Sequence, residues 1–107
     1  MVSRKYQFTA IAKQDLDDIL DFIINETCDY ATAKKMYERI NELLETICLF
    51  PKSYPLVYNE YLNRNDIRKA VINNYVMFYF YDEKNELIII TRIVSEKRDL
   101  KDVLNNI

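Results

Sequence analysis

Seven residues in the second half of this chain have the chemistry to grip an anion: Arg68, Tyr75, Tyr79, Tyr81, Arg92, Lys97 and Arg98. Guanidinium groups offer forked donors to phosphate, and tyrosine rings offer platforms on which a base can stack. Tyr75, Tyr79 and Tyr81 alternate with other residues in YVMFYFY, so in a strand they share one side. Where neighbouring strands carry Arg68 and Arg92, that side sets tyrosines beside arginines. The competing reading is structural. Arg98 and Asp99 cap the sheet by pairing with each other and with Arg68, because charge near a strand end needs partners.

Composition narrows the field. The 107 residues contain no histidine, which excludes a histidine general base, a Ser-His-Asp triad and a histidine-based metal site. No metal and no cofactor are expected. The two cysteines, Cys28 and Cys48, are too few for a disulfide framework and read as buried, reduced thiols. Formal net charge is −2 and is unevenly spread: residues 1–61 carry 7 basic and 10 acidic groups, residues 62–107 carry 8 and 7. An anion-facing surface therefore belongs to the second half. The opening MVSRKYQFTA lacks the apolar core of a secretory signal, and no run reaches the ~20 apolar residues of a membrane span. A cytoplasmic protein with no membrane contact is expected.

The elements that must position these residues are legible from periodicity. Lys5 to Thr9 alternates as a short strand, and Thr9 caps a helix running to about Glu26 with Ala12, Leu16, Ile19, Leu20 and Ile23 on its apolar side. Asp15, Asp17, Asp18 and Asp21 read as its solvated side. Asp29 caps a second helix, Tyr30 to Phe50, which stops at Pro51. An irregular stretch, PKSYPLVYNEYLNRND, leads to three strands: Ile67–Ile72, Tyr75–Tyr81 and Leu87–Val94. Asn73-Asn74 joins the first two, and DEKNE joins the last two with Asn85 in the place of a turn glycine. The last strand is apolar on both faces, so it is central or covered. Lys97 to Leu104 has room for one or two helical turns. The expected fold is α+β in the order β-α-α-β-β-β(-α): one domain over residues 1–107, with a four-stranded antiparallel sheet and a two-helix hairpin on one face. The expected core is Leu16, Ile19, Leu20, Ile23, Met36, Ile40, Leu44, Ile47, Val76, Phe78, Ile88 and Ile90.

With those elements in place the chain resembles the RelE/ParE superfamily, toxins of bacterial type II toxin–antitoxin modules. The resemblance rests on AKQDLDDILDFI, on ICLFPKSYP, and on IRKAVINNYVMFYFYDEKNELIIITRIVSEKRDL. The last stretch carries an Arg opening a strand (Arg68), a Tyr opening the next (Tyr75), the aromatic pair Phe78 and Tyr79, and a closing Arg92, Ile93, Arg98 and Asp99. The resemblance implies a cognate antitoxin as partner and a role in plasmid stabilisation. It also implies one of two modes of action: inhibition of DNA gyrase by binding, or cleavage of ribosome-bound mRNA. Where RNA-cutting relatives often carry histidine this chain has Ser95, and no tyrosine follows Tyr81. What the resemblance leaves for catalysis is Arg68, Lys97 and Arg98, which stabilise developing charge but are poor proton acceptors. Those departures favour the gyrase-directed, non-hydrolytic branch, with a non-toxic interaction module of the same fold as a further alternative. Tyr54, Tyr58 and Tyr61 in the irregular stretch are the candidates for antitoxin contact. The sequence leaves a homodimer open.

Overall fold

The computed structural model describes residues 5–105 and 107. Thr9 ends the first strand, β1 (Lys5–Phe8), and starts the first helix, α1 (Ala10–Thr27). Its hydroxyl accepts from the Ala12 amide at 3.1 Å and donates to the Thr91 carbonyl at 3.1 Å, so one side chain caps the helix and ties it to the sheet. Cys28 ends α1 in the left-handed region (φ 51°), its N–H returning to the Ile24 carbonyl. The Cys28 thiol is exposed, contrary to expectation, because this capping position faces away from the core; Cys48 is partly buried. Asp29 caps α2 (Tyr30–Leu49) through the Ala31 amide at 2.9 Å, and Pro51 prevents its continuation.

Three strands follow, β2 (Arg68–Ile72), β3 (Tyr75–Asp82) and β4 (Leu87–Ser95), and then a short helix α3 (Leu100–Leu104). With no glycine in the chain, the turns place other residues at positive φ. Asn73 does so at 52° as expected, but in the β3–β4 turn it is Glu86, at 51°. Asn85 is instead held by its side-chain bond to the Asp82 carboxylate at 2.7 Å.

The sheet order is β1-β4-β3-β2, with β4 central. β4–β3 and β3–β2 pair antiparallel, but β1 pairs with β4 in parallel, Lys5 opposite Leu87 and Phe8 opposite Ile90. The sheet is mixed, where wholly antiparallel pairing was expected. The helix hairpin explains the difference. α1 carries the chain away from β1, and α2 brings it back: Arg39 meets Asn73 in the β2–β3 turn at 2.6 Å, and Pro51 comes to rest against Tyr79 farther along β3. β2 therefore runs the same way as β1, and two further reversals leave β4 running that way too.

Both sheet faces are covered. On the hairpin side Ile19, Met36, Ile40, Leu44 and Ile47 bury against Ala70, Met77, Tyr79, Ile88, Ile90 and Ile93. On the other side Val103 and Leu104 of α3 bury against Ile67, Phe78 and Val94. Phe78 and its neighbour Val76 thus belong to a second core rather than to the hairpin core. Leu16, Leu20 and Ile23 are half-buried at the margin of the first core. The outer edge of β2 is not open, because Leu56 forms an antiparallel bridge with Arg68 and the Lys69 and Val57 amides donate to Pro55 and Ile67 carbonyls.

Candidate functional site

Arg68 opens β2 on the same side as Ala70 and Ile72, facing the end of α2. Its Nη1 donates to the Tyr54 carbonyl at 2.6 Å and the Lys52 carbonyl at 3.2 Å. Directly across the ladder stands Tyr79, wholly buried, whose hydroxyl donates to the Pro51 carbonyl at 2.9 Å. The Tyr54 ring meets the Tyr79 ring edge-on, centroids 6.3 Å apart. Burial pushes the Tyr79 phenol up to about 12, opposed by the Arg68 charge and reinforced by Tyr54. At neutral pH Tyr79 is thus a fixed hydrogen-bond donor and not a proton acceptor.

Beside this pair lies a cleft of about 570 Å³ lined by Phe50, Pro51, Lys52, Ser53, Tyr81 and Glu83. A second hollow of about 200 Å³ shares Lys52, Tyr81 and Glu83 with it and adds Arg68, Asp66, Asn65 and Leu56. Lys52 and Glu83 form an ion pair between the two. The neighbouring Leu49 and Phe50 are exposed apolar groups.

The other expected site residues do not join Arg68. Arg92 is buried, with Nε 2.7 Å and Nη2 3.1 Å from the Asp15 carboxylate, which also accepts from the Ile93 amide at 3.1 Å. Arg92 is thus a core ion pair rather than part of an exposed surface, and Asp15 is its partly buried partner, with 12% of its side chain exposed, rather than a solvated carboxylate. A bulge makes this reach available. Tyr79 pairs with Ile90 and Phe78 with Arg92, so Thr91 is the extra residue, and its hydroxyl bonds the Phe78 carbonyl at 2.9 Å. Tyr79, placed by the alternation beside Tyr75 and Tyr81, does share their side, but that side is the one the helices cover. Tyr75 and Tyr81 are half-buried near opposite ends of β3.

Lys97 and Arg98 are exposed beyond the far end of β4. Ser95 pairs with Tyr75, four residues along β3 from Tyr79, the level of Arg68, or about 13 Å along the sheet. Asp99 does not pair with Arg98 or Arg68. Its carboxylate caps α3 by accepting from the Lys101 amide at 3.0 Å. Among the described residues Arg98 has no ion-pair partner, so Arg98→Ala should change stability by less than about 0.5 kcal/mol, whereas Asp99→Ala should cost about 1 kcal/mol through the lost cap. Thermal melts of the two variants check this, and a larger loss for Arg98→Ala would refute it.

Of the three tyrosines in the irregular stretch, Tyr58 is 85% exposed. Tyr54 and Tyr61 are half-buried against the first and second cores. Sequence reasoning missed Arg64, whose guanidinium lies 4.0 Å above the Phe80 ring while bonding both Asp66 oxygens at 2.7 and 2.9 Å. Its only sequence signal is an Arg-x-Asp spacing in a polar loop, which is not specific. It also missed Lys52 and Glu83, which face each other across the cleft through folding alone.

Chemically, the arrangement offers cations held by carbonyls and carboxylates, aromatic walls, and two carboxylates, Asp66 and Glu83, each already in an ion pair with Arg64 or Lys52. Among the described residues no three metal-ligating side chains converge, and no helix is long and apolar enough to cross a membrane. Residues 6–100 match the family described as ParE toxin of type II toxin-antitoxin system, parDE.

The chain belongs to the ParE toxin family.

Among solved structures, this ParE-family chain is similar to one in the RelBE2 toxin–antitoxin complex of Mycobacterium tuberculosis: 18% identity, 88% of this chain and 99% of that one covered, TM-score 0.55. It is also similar to one in the archaeal RelE–RelB complex of Pyrococcus horikoshii: 13% identity, 92% and 100% covered, TM-score 0.51. At these identities the likeness carries the fold. No curated protein matches. The α+β fold and the superfamily expected from the sequence are thus both found, with the sheet mixed.

Proposed function

We propose that this ParE-family toxin acts by binding a cellular target, DNA gyrase, without hydrolysing it, and that a cognate antitoxin neutralises it in the cytoplasm. One observation carries the mode of action. The groups that would cut RNA do not converge: Arg68 is bonded to two carbonyls near the end of α2, while Lys97 and Arg98 lie past the opposite end of the strands. Phosphodiester cleavage by 2′-oxygen attack needs a proton acceptor and a cation within reach of one phosphate. The chain has no histidine, the buried, high-pKa Tyr79 is a fixed donor, and the two carboxylates that line the hollow with Arg68, Asp66 and Glu83, are engaged in ion pairs with Arg64 and Lys52.

An antitoxin segment has a suitable landing place in the exposed Tyr58, the cleft, and the apolar Leu49 and Phe50 at the end of α2. In both similar structures the toxin-fold chain is seen in a complex with its antitoxin, which supports the same kind of partner here.

The test uses two assays on one purified preparation. The chain should inhibit DNA supercoiling by purified gyrase and leave mRNA on programmed ribosomes intact. Ribosome-dependent cutting, lost in an Arg98→Ala variant that melts normally, would overturn this reading in favour of an endoribonuclease of the RelE type.

A further inference from the structure

The segment from Pro51 to Val57 straps the end of α2 to the edge of β2. Three of its carbonyls, those of Pro51, Lys52 and Tyr54, are held by a single cross-strand pair, Tyr79 and Arg68. Farther on, the strap is pinned by the Leu56–Arg68 bridge and by the Val57 amide on the Ile67 carbonyl at 2.8 Å. The strap is irregular backbone, so its carbonyls have no helix or ladder of their own to satisfy them. Tyr79 is wholly buried and beyond reach of any partner. Arg68 is partly exposed, but one of its nitrogens is already committed to two carbonyls.

We propose that Arg68 and Tyr79 are positioning residues: together they form a latch that fixes the strap, and with it one wall of the cleft, in the shape that the toxin's protein target reads, on a surface that the antitoxin covers when it neutralises the chain. Arg68 thereby acts through Lys52 and Tyr54 and does not itself contact the target. The inference rests on the reading of this chain as a toxin that works through protein contacts. It accounts for two features together. The cleft wall is formed by Pro51, Lys52 and Ser53, the residues on either side of the latched carbonyls. Both bonds come from one nitrogen, Nη1, whose two hydrogens are fixed in the guanidinium plane, so arginine offers the two carbonyls a pre-oriented pair of donors.

Tyr79→Phe supplies the decisive variant, since it removes only a buried hydroxyl that no partner can touch. It is compared with Arg68→Ala by amide hydrogen exchange and by growth arrest on induced expression in a bacterial host. Ser53 and Val57 report on the strap, because their amides donate to Phe50 and Ile67 carbonyls; Ile88 to Ile90 report on the sheet. In both variants the strap amides should exchange up to about tenfold faster, the change expected for the loss of one hydrogen bond, while the β4 amides keep their protection. Growth arrest should weaken in both. Unchanged exchange in the strap of both variants overturns the latch. So does loss of arrest in Arg68→Ala alongside full arrest in a loosened Tyr79→Phe, because the guanidinium would then be touching the target. A wild type that never arrests growth refutes the toxin reading instead, and the exchange measurement then decides the latch by itself. Should Arg68→Ala fail to fold, Tyr79→Phe carries both readouts.

Discussion

Asp15→Ala should lower the unfolding free energy by about 3–5 kcal/mol, the range for breaking a buried ion pair from one side. The Asp15 and Arg92 side chains are only 12% and 8% exposed, and the carboxylate serves three donors: Nε and Nη2 of Arg92 and the Ile93 amide. Truncation leaves the guanidinium and that amide without an acceptor in a dry region, so the penalty is their desolvation and not merely one lost contact. Urea unfolding monitored by circular dichroism measures it. The double variant Asp15→Leu/Arg92→Met should recover much of the loss, since apolar replacement of a whole buried pair is often neutral. A change below about 1 kcal/mol for Asp15→Ala would show that water reaches the pair.

Ile40→Ala should cost about 2–5 kcal/mol, a large share of the roughly 5–15 kcal/mol that stabilises a small domain. Ile40 is 1% exposed where α2 packs on the sheet, among Met36, Leu44, Met77 and Tyr79. The lost methyl and methylene groups leave a hole that close-packed neighbours fill only in part. Leu20→Ala, at the half-buried margin, should cost clearly less. Midpoints from parallel urea titrations give the order. Equal losses would mean that the hairpin core extends farther over α1 than the burial indicates.

The sequence made the helices legible because each has a single covered stripe, and their ends are marked by Thr9, Asp29 and Pro51. β4 was legible as a strand that is central or covered because it is apolar on both faces, and it is central. The parallel β1–β4 pairing was not, since strand alternation says nothing about which edge a short strand joins. The site was less legible than the fold. Alternation placed Tyr75, Tyr79 and Tyr81 on one side correctly, but it cannot say which side a hairpin will cover. Asp15 fell in a helix stretch crowded with Asp17, Asp18 and Asp21, and only the bulge at Thr91 gave it a buried arginine to meet. Arg68 stood out as a residue needing partners, but those partners are backbone carbonyls, which have no signature in a sequence.

The parallel pairing of β1 with β4 also governs how the chain comes to be finished. Lys5 through Phe8 are made early, but among the described residues their strand partner lies 82 residues downstream. At synthesis rates of about 5–20 residues per second, roughly 4–16 s separate the two strands. Until β2 and β3 emerge the helix hairpin has no sheet on which to bury Ile40, Leu44 and Ile47, and until β4 follows it lacks Ile88, Ile90 and Ile93. Contacts of such long range also slow folding itself. Among the described strands β4 emerges from the ribosome after the others and joins β1 to β3, so a nascent chain stopped before Leu87 is a toxin still lacking its central strand.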